Sequence, residues 1–530
     1  MTGLRTALRR GFDRAERALD QLFGADWNPL AHLGTIGWFL FWTVAITGIY
    51  LFVFFDTGVT AAYSSVEWLS QDHWWHAGVA RSVHRYASDL MVLVMFTHLI
   101  REFAMDRYRG TRWFSWVTGV PVIWFVYLSG ITGYWLVWDK LAQYVAVTTT
   151  ELLDTLGIFG EPIARNFLAP DMLSGRFFTL MVFLHIAIPL LLLLLMWIHI
   201  QRITDARTRP PRGLAIILLV ALVAGALAFP APLQGAADLA TVPQRIGIDW
   251  LLLSLYPVIE SVPSGVIWAG VLVFTILLVG LPWLPPKSEG GAAQVFLDFC
   301  NGCGRCVADC PYTAITLEPR SDDAPFQFEV AVNSARCVAC GICMGSCPSS
   351  SPFRRSGDLI TGIDLPDYPL AELRAKVIDA AEALTGGAGS GRVLTLACGH
   401  GAGQGAAPGR VELPCVAMAP PAIFDYIISR GLADGVCIAG CAERDCQNRF
   451  GVEWTRQRIA RERDPYLRAR VPRERLLTVW AGVTEEKRLG RDIAAFSQRL
   501  AALPAFENIR PIADEEKAAV QKTTSRSAAE

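Results

Sequence analysis

The sequence predicts a chain in three parts: an all-α bundle of about six membrane-crossing helices, an α+β segment, and a small α/β segment. Three observations carry that reading. Apolar runs near residues 33–55, 83–103, 114–137, 177–200, 213–230 and 264–284 each suit a span of about 20 residues. All 13 cysteines fall after residue 299, in two tight runs and a looser set. From about residue 392, short apolar strands alternate with helical patterns. With 52% hydrophobic residues and 17 Trp in 530 positions, this is a polytopic membrane protein joined to something soluble, and its net charge of −1 averages unlike halves. No basic excess calls for a nucleic-acid partner.

The opening MTGLRTALRRGFDRAERALDQLF has neither an apolar core nor a cleavage site, so residues 1–27 are expected as an amphipathic helix on the cytoplasmic surface. Arginines set the orientation. Arg5, Arg9, Arg10, Arg14 and Arg17 precede the first run, Arg107, Arg109 and Arg112 follow the second, and Arg202, Arg207, Arg209 and Arg212 follow the fourth, whereas residues 52–80 hold no Lys or Arg. The N-terminus and everything beyond Lys287 are therefore expected in the cytoplasm of a bacterium or archaeon, with the bundle in its plasma membrane.

Two histidine pairs at one spacing, His84/His98 and His185/His199, lie in the second and fourth runs. At ~100° and ~1.5 Å per residue, the fourteen-residue step turns ~1400°, close to four turns, so both rings of a pair share one helix face ~21 Å apart. A lone histidine in a membrane helix is usually a polar group bonded to a neighbouring helix. Two matched pairs are what two stacked bis-histidine haem sites require, one ring from each of two facing helices. Spacing leaves open which rings pair. Gly34/Gly48 and Gly119/Gly133 repeat the same step on two other runs, where a missing Cβ lets a flat ring approach the backbone. Arg81 precedes His84 by three residues and Arg101 follows His98 by three, each placed to meet a haem propionate. Interfacial snorkelling explains them equally well.

NPLAHLG before the first run, RSVHR and THLIR on the second, GYWLVW ending the third and FLHIAIPLLLLLLMWIHI on the fourth resemble the cytochrome b of quinol-oxidising bc and b6f complexes. The resemblance implies a dihaem transmembrane domain over residues 28–284 with two haem b groups. It also implies pairing of His84 with His185 near the outer face and His98 with His199 near the inner face. That family carries Pro-Glu-Trp-Tyr at its outer quinol site, and the aligned positions here read Ile248, Asp249, Trp250 and Leu251. Asp249 could still exchange a quinone proton, or be an ordinary loop acid. At the inner site the family's extra His and acid are replaced by Thr204 and Gly213, leaving Asp205 and Arg202 as substitutes.

After a Pro- and Gly-rich linker, residues 285–294, come Cys300-x2-Cys303-x2-Cys306-x3-Cys310-Pro311 and Cys337-x2-Cys340-x2-Cys343-x3-Cys347-Pro348. These are two copies of the bacterial ferredoxin run, in which the fourth cysteine serves the other cluster. Residues 295–365 are thus expected as an α+β ferredoxin-like domain. One 4Fe-4S site takes Cys300, Cys303, Cys306 and Cys347, the other Cys337, Cys340, Cys343 and Cys310. Zinc is the alternative occupant of C-x2-C steps.

Residues 390–502 are expected as the α/β unit, with strands RVLTLAC, RVELPC, DGVCIAG and RLLTVWAG. Cys398, Cys415, Cys441 and Cys446 fall at or just beyond strand ends and suit a 2Fe-2S cluster, with zinc or plain thiols as alternatives. Cys437 lies inside a strand as core packing, and His400 is a loop polar group. GVCIAGCAERDCQNRFG resembles the delta (iron-sulfur) subunit of methyl-viologen-reducing hydrogenases, although Ala439 stands where that family usually has another cysteine. The likeness implies a cytoplasmic partner similar to the flavin-containing subunit of heterodisulfide reductase. Residues 503–530 have almost no large apolar groups and are expected as a disordered tail.

These features point to an oxidoreductase subunit relaying electrons between that partner and membrane quinone. A bc-like, quinol-oxidising core and a non-catalytic membrane dock are the competing readings, and a homodimer through the membrane domain is an open arrangement.

Overall fold

The computed structural model describes residues 2–506 except 168–172, 174, 202–205, 285–289, 354–358, 388, 406 and 505. The tail beyond residue 506, the inner-site candidates Arg202, Thr204 and Asp205, and residues 285–289 of the linker lie outside the described residues. The chain forms two compact units that meet near residues 287 and 288 in sequence.

The first unit is helical: α1 (Thr2–Phe23), α2 (Leu33–Phe54), α3 (Ala62–Gln71), α4 (Val79–Ala104), α5 (Trp113–Val137), α6 (Lys140–Asp154), α7 (Gly175–Ile200), α8 (Arg212–Ala228), α9 (Tyr256–Ser261) and α10 (Ser264–Gly280). The six predicted runs appear as α2, α4, α5, α7, α8 and α10. Among the described residues four stretches, Pro29–Phe54, Trp113–Val137, Phe178–Ile200 and Ser264–Trp283, are long and apolar enough to cross a membrane. None of α10 is buried by the chain itself, the signature of a helix apolar all round that meets lipid. Of the other two, α8 is apolar but only 17 residues long. Helix α4 is less apolar because Arg81, Arg85, Asp89, Arg101 and Glu102 lie on it, and polar groups at such depth turn inward to find partners. The amphipathic α1 supplies one: Glu16 bonds Arg101 at 2.8 Å, both side chains buried, while Arg5 pairs with Asp106 at 2.6 Å. Asn28 then donates to the Glu16 carbonyl at 2.8 Å, fixing the turn into α2.

The second unit begins with β1 (Gln294–Val295), α11 (Arg305–Asp309), β2 (Ile315–Pro319), β3 (Phe328–Val332), α12 (Ile342–Ser346), β4 (Ile363–Asp364) and α13 (Leu370–Glu382). β2 pairs antiparallel with β3, and β1 with β4. There follow β5 (Val393–Cys398), β6 (Arg410–Leu413), α14 (Pro421–Ser429), β7 (Gly435–Gly440), α15 (Gly451–Ala460), β8 (Leu476–Trp480) and α16 (Glu486–Ala501). The last four strands form one parallel sheet in the order β6-β5-β7-β8. β5 and β7 are buried throughout, as near-continuous apolar parallel strands must be. All four predicted strands are present. One apolar core runs from Ala293 through Met344 to Tyr426 and Val471, so the two segments separated in the sequence reading pack as a single body.

Candidate functional site

The four histidines sit where two helix pairs close on each other. α2 lies along α4 and α5 along α7, and each imidazole rests on a glycine of the neighbouring helix. A Cβ on Gly48 would lie 2.9 Å from His84 Cε1, on Gly133 2.9 Å from His185 Cε1, on Gly119 3.2 Å from His199 Cε1, and on Gly34 3.9 Å from His98 Cε1. All four glycines of the fourteen-residue step thus face an imidazole. His84 Nδ1 is 3.0 Å from the Val44 carbonyl, which can only accept, so this nitrogen carries the proton and Nε2 is left with a free lone pair. A threonine hydroxyl also touches three of the rings at Nδ1: Thr47 on His84 at 3.1 Å, Thr132 on His185 at 3.1 Å and Thr118 on His199 at 3.2 Å. Each threonine immediately precedes one of the glycines, a Thr-Gly pair that was readable in the sequence but unused. Leu33 holds the equivalent place before Gly34.

The ring centres of His84 and His185 are 6.5 Å apart, with planes at 63°. Two metal–imidazole bonds of about 2 Å plus the half-width of each ring put coordinating ring centres roughly 6 Å apart, so this pair fits a bis-histidine haem iron. His98 and His199 lie within electrostatic reach of one another. Both flanking arginines also have partners within the chain. Arg101 is held by Glu16, because α1 folds onto α4. Arg81 donates to the Ala231 carbonyl at 2.7 Å, the Pro232 carbonyl at 3.0 Å and Ser70 Oγ at 3.3 Å.

Asp249 lies in the loop before α9. It accepts from the Tyr134 hydroxyl, from Arg85 at 2.9 Å and from the Leu251 amide at 2.9 Å. Burial disfavours its charge, yet the Tyr134 hydrogen bond and the Arg85 guanidinium outweigh that and hold its pKa below the usual carboxylate range. Arg85 also reaches Asp89 at 3.3 Å and lies over the Tyr134 ring, 4.7 Å from its centre. The sequence reading missed Arg85, Asp89 and Tyr134, since only the fold brings α4 and α5 to this loop. Trp250 is exposed.

In the second unit the duplicated cysteine runs fold as twins. Gly304 and Gly341, at φ 70° and 73°, take the left-handed conformation and start α11 and α12. One cavity is lined by Cys337, Cys340, Cys343 and Cys310, which brings the fourth cysteine of the first run to the second. Around Cys306 the neighbouring thiols are Cys347, Cys303 and Cys300. Both four-sulfur sets are those the motif calls for. Burial pushes the Cys306 and Cys340 thiols up to about 12, so thiolates there need a cationic cluster to compensate them. The Ala314 amide donates to Cys310 Sγ at 3.3 Å and the Ala293 amide to Cys337 Sγ at 3.4 Å, the kind of bond that tunes cluster potential.

The third set gathers at the C-terminal edge of the parallel sheet. Cys398 ends β5, Cys415 follows β6 and Cys441 follows β7, so parallel strands deliver all three to one rim. Cys398 and Cys441 sulfurs are 3.4 Å apart, and a Cβ on Gly451 would strike Cys415 Sγ and lie 3.4 Å from Cys446 Sγ. Cys437 is buried mid-strand, away from that rim, and His400 is half-buried in the turn after Cys398. Among the described residues no three or more His, Cys, Asp or Glu side chains converge tightly enough to grip a lone metal ion. Cys340 and Trp454 pack against a small buried cluster of Ile342, Cys415 and Ala417, which brings the third cysteine set close to the second.

Comparison with known proteins finds three matching regions. Residues 22–206 match the family model described as Cytochrome b/b6/petB, residues 299–351 the 4Fe-4S dicluster domain, and residues 407–504 the methyl-viologen-reducing hydrogenase, delta subunit. Cytochrome b of Dictyostelium discoideum is 24% identical over 271 residues, covering 45% of this chain and 67% of that protein. Cytochrome b of Acanthamoeba castellanii is 23% identical over 288 residues, covering 48% and 72%. A solved structure titled Hyperthermophilic respiratory Complex III aligns with a TM-score of 0.39 and 20% identity over 48% of this chain and 76% of its own. The cytochrome b match implies haem b and the dicluster match implies 4Fe-4S clusters. The chain is a membrane electron-transfer subunit of oxidoreductase type.

Proposed function

We propose that this chain carries electrons between membrane quinone and a soluble redox partner that docks on its iron-sulfur half. His84 with His185 and His98 with His199 would each hold one haem b. Cys300, Cys303, Cys306 and Cys347 would hold one 4Fe-4S cluster, Cys337, Cys340, Cys343 and Cys310 the other, and Cys398, Cys415, Cys441 and Cys446 a 2Fe-2S cluster. Bound, these groups supply one-electron carriers on both sides of residue 287. The observation that carries the reading is the His84–His185 separation of 6.5 Å, with Nδ1 of both rings already engaged by the chain.

The protein's own contribution is orientation and proton handling. Glycines seat the rings, threonines and a carbonyl fix Nδ1, and Nε2 remains for iron. Asp249, ionised and held by Arg85 and Tyr134, is poised to accept a quinol proton or return it to a quinone. The shared packing of Cys340 and Cys415 against Ile342 and Ala417 supports a wiring order in which the C-terminal centre exchanges electrons with the Cys310/Cys337/Cys340/Cys343 cluster before the other. The delta-subunit likeness over residues 407–504 favours a flavin-containing partner similar to that of heterodisulfide reductase. Loss of Pro and Tyr from the loop tetrad argues against a bifurcating quinol-oxidising core.

The test is reduction of the purified full chain by a quinol analogue, followed in the visible spectrum. Reduction of the haem bands, slowed at least tenfold in Asp249→Asn, is expected. Haems that dithionite reduces but no quinol touches would overturn the quinone assignment, and co-purification that repeatedly yields no redox subunit would overturn the partner.

A further inference from the structure

Arg458, on α15, is among the largest fully buried side chains of the molecule and sits where three cysteine-bearing segments meet. Its guanidinium donates to Asp309 Oδ2 at 2.5 Å, to Ser346 Oγ at 2.6 Å and to the Ala417 carbonyl at 2.8 Å. Asp309 precedes Cys310, Ser346 precedes Cys347, and Ala417 lies two residues after Cys415. Ser346 also donates to Asp309 at 2.7 Å. Packing is close enough that a Cβ on Gly345 would strike the Ala417 carbonyl and lie 2.9 Å from Arg458 Nη1. A second cation, Arg463, bonds the other oxygen of Asp309 at 2.6 Å and lies over the Trp454 ring, whose indole donates to the Asp309 carbonyl.

The charge count at this junction is one carboxylate against two guanidiniums, a net positive charge beside three sulfur sets. An ion pair alone would be a weak reason to bury an arginine so completely, since desolvation can exceed the attraction. Adding an electron to an iron-sulfur cluster adds negative charge, so a fixed cation nearby favours the reduced form. Resting on the cluster assignment above, we infer that Arg458, Asp309 and Arg463 form a charge-setting clamp. They are positioning residues that seat the three cluster-binding segments on one another and raise the reduction potential of the centres that Cys310 and Cys415 serve.

The inference makes signed predictions that mere loosening of the fold does not. In the full chain with its clusters, Arg463→Gln removes a partly exposed cation and leaves the buried pair intact. It should lower the reduced-to-oxidised ratio of those clusters at a fixed poise on the order of tenfold, the effect of one unit charge at a partly desolvated site. Arg463→Glu should lower it further, and Asp309→Asn should raise it, each read by redox titration under electron paramagnetic resonance. A graded fall from wild type through Arg463→Gln to Arg463→Glu supports the clamp even where Asp309→Asn does not fold. Potentials indifferent to both Arg463 variants, or lowered by a folded Asp309→Asn as well, overturn it. Iron and acid-labile sulfide measured on the same wild-type samples separate the two claims: clusters present with unmoved potentials sink the clamp alone, and a chain devoid of iron sinks the cluster assignment with it.

Discussion

The two halves of this molecule solve one problem, holding paired ligand sets at fixed geometry, by opposite means. In the cysteine runs the solution is local: two- and three-residue steps, a left-handed glycine and a five-residue helix aim the sulfurs, and the fold only brings one run to the other. In the helical unit each histidine is aimed from outside. α4 and α7 carry the rings, while α2 and α5 supply the glycine floor and, for three of the four rings, a hydroxyl at Nδ1. A local device survives changes elsewhere in the chain. A device split between two helices fails when either partner is altered.

The sharpest way to break that contrast is to fill the glycine floor. Gly133→Leu, whose Cβ begins 2.9 Å from His185 Cε1, should cost the chain one of its haems and about 1–3 kcal/mol of stability, read as haem per chain and thermal midpoint. Gly34→Ala, 3.9 Å from His98 Cε1, should leave haem content unchanged, so equal effects at both sites would show that the glycines do not seat the rings. Next in size, Cys310→Ser should abolish the cluster of the second run and spare that of the first, as seen by paramagnetic resonance. Loss of the Cys300 cluster instead would refute the exchanged fourth ligand.

Thr132→Val should keep its haem, since the lost hydrogen bond is worth only about 0.5–1.5 kcal/mol, but make His185 a poorer donor and raise that haem's potential. An unchanged potential would reduce the threonines to packing. The smallest effect concerns Asp249. Its folded pKa is depressed, so its contribution to stability is present above the unfolded value of about 4 and is lost as pH falls through the folded pKa. The stability gap between wild type and Asp249→Asn should therefore shrink as pH falls below about 4. A gap that widens on acidification would mean that the carboxylate is not charged in the folded state.

What the sequence disclosed follows the same division. Spacing exposed both cysteine sets and the four histidines, because a helix turn and a cluster corner are short-range constraints. The strands of the α/β unit were equally plain, since β5 and β7 are unbroken apolar runs. Partners contributed by another helix stayed hidden. Thr47, Thr118 and Thr132 look like ordinary membrane-helix threonines until α2 and α5 are laid beside α4 and α7. Nothing local reveals that Arg101, read as either a propionate partner or an interfacial cation, would meet Glu16, 85 positions away. Arg458 and Asp309 are 149 positions apart, and no periodicity could join them.

The central claim is that paired imidazoles from α4 and α7 hold the redox groups of the membrane half. Haem content of the purified chain, measured by its Soret absorbance and haem-per-chain ratio, tests it most directly. Two haems in the wild type, one in His185→Ala and none in the variant lacking all four rings are predicted. A chain without Soret absorbance, or one whose absorbance persists after all four histidines become alanine, would contradict it.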